Sequence, residues 1–279
     1  MAFVTGNSTI IKESLLAKEV TRLLDKKFVI IPWANTMYEG EVKQQGDTVS
    51  IQTFPNISWS SGTTAGADIT ATTYTITKDQ LVVDQLAQMR VEVTNIEEIQ
   101  SNLALREEVA NRMAYGQSDL LEKFVVSIAV PGVHASNKLG AVGTALTSAT
   151  VYGAVEAMRV ALSNQNAFND AALFVRPSIA SLIRQSSLFD GYREGLDTRK
   201  EGYIGKMSGF NIFETNNIGY PVMFSMDRNA VHFAAQWTGF KVTDAPNGFR
   251  KNVLGEVAYG GKVCTENTKR IAVYYCSNT

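Results

Sequence analysis

Thr48-Val49-Ser50-Ile51-Gln52-Thr53-Phe54-Pro55-Asn56-Ile57-Ser58-Trp59 opens a run of about thirty residues, ending at Thr77, that carries one charge, Asp68. The chain-wide share of charged residues, 19%, would place about six there. Val49, Ile51, Phe54, Ile57, Trp59, Ile69, Tyr74 and Ile76, set among many threonines, favour extended backbone. Ser58 to Ala67 is small, polar and glycine-bearing, the chemistry of a turn. The reading is two strands, near 47–57 and 68–77, joined in a long hairpin. A lone hairpin is marginal in water. An uncharged β-prone edge invites aggregation unless it is covered. The hairpin therefore lies on another surface, either its own domain or a neighbouring chain.

Outward from the hairpin, Met89, Val91 and Val93 alternate with Arg90 and Glu92, the pattern of a half-buried strand. Thr94-Asn95-Ile96-Glu97 fits a capping box. From Ile96 to about Ile128 a broad apolar face recurs at helical spacing with no proline until Pro131, which predicts a long strut. Gly116 inside it marks a bend or a close helix contact. Upstream, Ile11, Leu15, Leu16, Val20, Leu23 and Leu24 make an amphipathic helix, packed on its own core or lying as an arm on a neighbour. Lys26 to Trp33 reads as a short buried strand ended by Pro32.

Beyond Pro131, Gly132 to Thr147 is rich in Gly, Ala and Ser and reads as loop. A helix with Val151, Val155, Met158 and Leu162 follows, then a strand from Ala171 to Val175 and a short helix with Ile179, Leu182 and Ile183. Ser187 to Ile204 is charge-dense and reads as a surface excursion. Strands are predicted at 209–214, 222–225, 231–236, 240–243, 253–264 and 271–276. Helices and strands mix without βαβα alternation, so the class is α+β.

The 279 residues make one large domain or two small ones. With 26 basic and 27 acidic residues, no charge excess advertises tight nucleic-acid binding. No apolar run reaches the ~18 residues of a membrane helix, and Met1 to Ser8 has no secretory-signal pattern. Cys264 and Cys276 do not have metal or redox spacing. These features point to a soluble, intracellularly made chain.

Catalytic motifs are largely missing. His134 and His232 have no Cys or His at metal-ligand spacing. Gly202-Tyr203-Ile204-Gly205-Lys206-Met207 is too short for a phosphate loop and ends on Met207 where Ser or Thr is required. The pairs Glu97-Glu98 and Glu107-Glu108 suit a solvated helix face. No catalytic, metal or cofactor-binding residue is assigned, and no cofactor is expected.

The order of parts resembles the major capsid proteins of tailed bacteriophages, the HK97-fold family. The residues that carry the resemblance are Phe28-Val29-Ile30-Ile31, Tyr38-Glu39-Gly40-Glu41-Val42 and Gly46-Asp47-Thr48-Val49-Ser50-Ile51. They are followed by the low-charge hairpin, its return at Lys78 to Asp84, and the helix from Ile96. Val175-Arg176-Pro177, the run Ile204 to Ile218 and the run Gly255 to Val263 complete it. The resemblance implies an arm and lead-in strand over 1–40 and an extended loop over 41–80. A peripheral domain with the spine helix would span 81–130, an axial domain 131–235, and return strands of both domains 236–279. It implies a structural shell subunit, not an enzyme, located in the virion and assembled in the host bacterial cytoplasm. The implied partners are copies of itself in hexamers and pentamers, portal and scaffolding proteins, a decoration protein, and packaged DNA through weak non-specific contact; no membrane is involved. Few residues precede the loop, so no long scaffolding segment is expected within the chain. The inter-subunit residues are then Val49, Ile51, Phe54, Trp59, Ile69, Tyr74 and Ile76 on the loop, and Ile11, Leu15 and Leu16 on the arm. An encapsulin-type compartment shell is the alternative within the fold; a hydrolase with an unrecognised site is the alternative outside it.

Overall fold

Ala171-Ala172-Leu173-Phe174-Val175 forms a strand buried at all five positions. Alternation sends Ala171, Leu173 and Val175 into one apolar cluster and Ala172 and Phe174 into another. An unbroken apolar run is what a strand covered on both faces requires. This strand, β5, therefore sits at the centre of a layered fold. The computed structural model describes residues 28–39, 46–53, 75–94, 104–186, 203–219, 222–244, 246 and 250–277.

The strands in chain order are β1 (Thr48–Thr53), β2 (Thr77–Val82), β3 (Gln85–Thr94), β4 (Lys138–Ala145), β5 (Ala171–Val175), β6 (Tyr203–Met207), β7 (Phe210–Glu214), β8 (Val222–Asp227), β9 (His232–Asp244), β10 (Arg250–Lys262) and β11 (Ile271–Ser277). The helices are α1 (Ala104–Ala129), α2 (Val151–Asn164) and α3 (Pro177–Gln185). β5 belongs to a mixed six-stranded sheet of order β4-β11-β8-β5-β7-β6. A second sheet has the order β3-β10-β9, and β1 pairs with β2 in a third.

One face of the six-stranded sheet is covered by α2 and α3. Val151, Ala154, Val155, Met158 and Leu162 form the buried stripe of α2. Pro177 stands in the first turn of α3, where its missing N–H costs nothing, and Ile179, Ala180 and Ile183 face inward. The other face meets a composite layer. Leu121, Val125 and Ala129 of α1, Ile30, Ile31 and Trp33 of the lead-in segment, and Phe233, Val257 and Tyr259 of the long strands pack against Phe174, Phe224, Met226, Ile271 and Val273. Rings continue across this layer: Phe174 stacks on Phe224 at 5.1 Å, and Trp33 meets Phe213 edge-on at 5.6 Å.

The described 26-residue stretch of α1 extends about 39 Å; residues 95–103, the expected start of the strut, lie outside the described residues. Four expectations are corrected. Residues 28–33 are not a strand: Ile31–Trp33 is a 3₁₀ turn with Pro32 in its first positions, because proline cannot donate to a ladder. The expected loop from Gly132 to Thr147 contains β4, parallel to β11. Apart from half-buried Leu139 its residues are exposed, so no alternation revealed it. Gly140 has φ +70, and a Cβ there would collide with the Tyr275 carbonyl. The expected excursion from 187 ends in a strand, β6, held antiparallel to β7. The two short strands expected at 231–236 and 240–243 are one strand, β9, so the expected boundary at 235/236 falls inside a continuous element.

β9 and β10 run antiparallel from His232–Lys262 to Asp244–Lys251, with a bulge at Glu256/Val257. The hairpin base crosses β10 where Gly260 lies against β2. A Cβ at Gly260 would strike the Val82 carbonyl and stand 2.8 Å from Val83 Cα. Both are backbone atoms with no rotamer to change. Gly260→Ala is expected to destabilise the subunit by roughly 2 kcal/mol or more, read as a lower urea midpoint.

Candidate inter-subunit surface

The extended segment begins as a ladder in which Thr48 faces Val82 and Thr53 faces Thr77. Period two puts Val49 and Ile51 on the inner face with Leu81 and Val83, where they pack against Ala234, Ala258, Cys264 and Tyr38. Asp79 shares that inner side. Its carboxylate accepts from the Thr265 amide at 3.0 Å and from the Thr265 hydroxyl at 3.4 Å. Gly46 N–H donates to Val83 O at 2.7 Å, and Val83 N–H to Asp47 O at 3.1 Å, closing the ladder at its inner end. The base of the hairpin is thus part of the subunit's own core.

This changes the roles of two expected interface residues. Val49 is 8% exposed and Ile51 5% exposed within a single chain, so neither presents its side chain to a neighbour. The sequence pattern fixes which residues share a face, but not what that face meets. Ile76, in contrast, is 37% exposed. Val82 and Leu86, absent from the expected interface set, are 38% and 40% exposed on β2 and β3. Their signal was available: they take the outward parity that opposes Leu81 and Val83. Phe54, Trp59, Ile69 and Tyr74 on the loop, and Ile11, Leu15 and Leu16 on the arm, lie outside the described residues.

The lead-in to the hairpin is held by a buried carboxylate. Glu122 of α1 is 1% exposed. Its Oε1 accepts from the amides of Val29 and of Ile30, the latter at 2.8 Å. Its Oε2 accepts from Asn217 Nδ2 at 2.8 Å. Burial pushes this carboxyl above its usual range, and nearby Asp119 adds to the shift; the three N–H donors oppose it. One side chain therefore joins the lead-in segment, the spine helix and the turn after β7. Farther along, Asn35 N–H donates to Val231 O at 2.8 Å and Phe233 N–H to Asn35 O at 3.0 Å. These bonds hold residues 29–35 in place across the core.

Two further perturbed groups lie beneath the hairpin base. Burial lowers His232, against the pull of Asp79. Its ring lies 5.5 Å from Tyr38, and its Nε2 is 3.1 Å from Asn267 Nδ2. Burial pushes the Cys264 thiol up to about 11, which keeps it protonated and unreactive. Among the described residues, no cluster of His, Cys, Asp and Glu could hold a metal ion, and no helix is long and apolar enough to cross a membrane.

Solved structures with this arrangement come from phages and from a virus-like particle. A structure from Mycobacterium phage Che8 overlays with a TM-score of 0.69 at 19% identity, covering 89% of this chain and 91% of that one. The capsid structure of cyanophage P-SCSP1u overlays with a TM-score of 0.68 at 12% identity, covering 100% and 93%. A virus-like particle from Pyrococcus furiosus gives 0.59 at 12% identity, covering 94% and 98%. No family model and no curated protein matches the sequence. The chain has the α+β HK97-like capsid fold, as expected from the order of its parts.

Two outcomes follow from this geometry. Ile51→Lys forces an unpaired charge into the subunit core and is expected to cost roughly 3 kcal/mol or more, whereas Ile76→Lys stays within about 0.5 kcal/mol. Urea unfolding of the isolated subunit separates them. Glu122→Ala strands two backbone amides and is expected to cost about 2–4 kcal/mol; Glu122→Gln keeps an acceptor and costs much less. The raised Glu122 carboxyl binds its proton more tightly in the folded chain than in the unfolded one. Wild-type stability should therefore fall, relative to Glu122→Gln, as pH rises from below the ordinary carboxylate value through the raised one, then level off. Unfolding midpoints of both proteins between pH 4 and 7 check this.

Proposed function

We infer that this chain is the structural subunit of an icosahedral phage head that encloses a double-stranded DNA genome. The observation that carries the reading is the overlay with a phage capsid across the full length of the chain, hairpin base, spine helix and both larger sheets included. The architecture suits the task. A shell subunit needs a stiff strut, a core that is complete without its partners, and segments that reach beyond that core. Here α1 is the strut, the six-stranded sheet is covered on both faces, and the hairpin base and the lead-in are each anchored to that core. The work of the molecule is then self-association into hexamers and pentamers, with portal, scaffolding and decoration proteins as accessory partners. Near-neutral net charge suits weak, non-specific contact with packaged DNA.

A second reading, a compartment shell of the encapsulin type, is favoured by the overlay with the virus-like particle. Particle content separates the two: packaged genome belongs to a head, enclosed protein cargo to a compartment.

Negative-stain images of the purified full-length chain should show closed, uniform shells. Dispersed subunits under every assembly condition would overturn the shell reading. The shells should also dissolve to single chains on a denaturing gel, because the run from Thr48 to Thr77 contains no lysine and only Lys43 and Lys78 flank it. A ladder of covalent oligomers mapping to either lysine would contradict this.

A further inference from the structure

His232 is 6% exposed at the start of β9, and its backbone is held from both sides. Asn35 of the lead-in bridges it on one edge, and Lys262 of β10 pairs with it on the other. The ring therefore stays beneath the hairpin base, between Tyr38 of the lead-in and the Asn267 amide of the 265–270 turn. Its hydrogen bonds are incomplete. Nδ1 is buried with no partner among the described residues. The atom 3.1 Å from Nε2 is Asn267 Nδ2, a donor. A neutral imidazole has one N–H and one lone pair, whereas an imidazolium has two N–H groups and needs an acceptor at each. Turning the Asn267 amide over supplies an acceptor at Nε2 but leaves Nδ1 without one. The closed junction therefore suits the neutral ring and not the charged one.

The carboxylate whose charge acts on this ring is already in use. Asp79 of β2 acts on His232 and on the Cys264 thiol alike, and its oxygens accept from the Thr265 amide and hydroxyl. We propose that His232 is a proton-operated catch at the hairpin root: on gaining a proton, its ring draws Asp79 away from Thr265 and uncouples β2 from the 265–270 turn. The proposal goes beyond the shell-subunit reading and does not rest on it. The other ionisable groups on the surrounding elements are occupied or of the wrong sign. Glu39 accepts from the Ala235 amide. Tyr38 meets His232 through its ring, and burial keeps the Cys264 thiol protonated. Glu266 and Lys269 of the turn pair with each other at 3.7 Å, and Lys262 is an exposed cation.

The sign of the effect follows from which state holds the neutral ring. Burial lowers His232 in the closed junction. In the released junction the ring binds its proton at the ordinary value of about 6.5 or above it, with Asp79 beside it. Acid therefore favours release, and the gain levels off once pH falls below the lowered closed-state value. For a ring that stays neutral while closed, the released fraction rises at least about tenfold between about pH 7.5 and 5.5. Release is local. Val49, Ile51, Leu81 and Val83 still pack on Ala234 and Ala258, so the hairpin base stays folded while its tie to the turn opens.

The test is hydrogen exchange of the full chain, corrected for the intrinsic pH dependence of exchange. Protection of the Thr265 amide, which donates to Asp79, should fall at least about tenfold from about pH 7.5 to 5.5. The Val83 amide, which donates to Asp47 O in the same hairpin base, should change less than about twofold. His232→Gln should hold Thr265 protection level across the range, and His134→Gln should leave the fall intact. In the His134→Gln chain His232 is the one remaining histidine, so its NMR titration is read directly. Adding Asp79→Asn, which keeps an acceptor for Thr265 but removes the charge, should lower that titration midpoint. Thr265 protection that does not change with pH in the wild-type chain overturns the proposal, and this readout needs no variant to fold. A fall that survives His232→Gln overturns it too, as does a His232 midpoint unmoved by Asp79→Asn.

Discussion

The fold depends on covering the second face of the six-stranded sheet. The first face is met by α2 and α3, two helices next to β5 in sequence. The second has no such local cover. Ile30 to Trp33, α1, Phe233 and Val257 to Tyr259 reach it from far apart in the chain, and the lead-in segment arrives with no strand or α-helix to satisfy its own amides. Glu122 supplies the acceptor for Val29 and Ile30, and the backbone of Val231 serves Asn35. Without those acceptors, buried N–H groups would be left unpaired, and that cost would offset much of what the segment's apolar burial contributes. The carboxylate therefore decides where a segment with little structure of its own can pack.

The same economy separates folding from association. The hairpin base is committed inward through Val49, Ile51, Leu81 and Val83, and Asp79 ties it to Thr265. Gly260 permits backbone-to-backbone approach at the crossing. The root of the segment is thus fixed by contacts of the described residues. The outward parity of the same strands carries Ile76, Val82 and Leu86, whose exposure is unremarkable singly but runs along one extended course.

Local pattern is a sound guide where it agrees with tertiary setting. β5 is legible because a five-residue apolar run stopped by Pro177 leaves few alternatives, and α2 because Val151, Val155, Met158 and Leu162 share one helical face. β4 is not legible: Lys138 to Ala145 buries almost nothing, so its strand state comes from backbone pairing with β11 alone. The lead-in segment misleads because Phe28 to Ile31 has β-prone composition while Pro32 and the Glu122 acceptor dictate a turn. Val49 and Ile51 mislead in another way. Alternation correctly places them on one face, yet composition cannot distinguish a face meant for a neighbour from one meant for Ala234 and Ala258. Glu122 is invisible as a site, since a lone glutamate on a long helix looks like any solvated charge until the lead-in is seen to cross it.

Several buried and half-buried ionisable groups among the described residues lie where segments meet. Glu122 lies where the lead-in meets the spine helix and the turn at Asn217. His232 and Asp79 lie where the hairpin base meets the long strands. Asp227, with its side chain 4% exposed, receives Arg270 at 2.6 Å where β8 meets the turn that precedes β11. Perturbed or buried charges often mark reaction centres, but here Glu122 and Asp79 are taken up largely by backbone amides, and Asp227 by a guanidinium. Apolar packing would hold these junctions together with loose geometry, because such contacts are non-directional. A carboxylate with fixed donors accepts few orientations. Placing one at each junction makes the angle between segments a property of the folded chain itself.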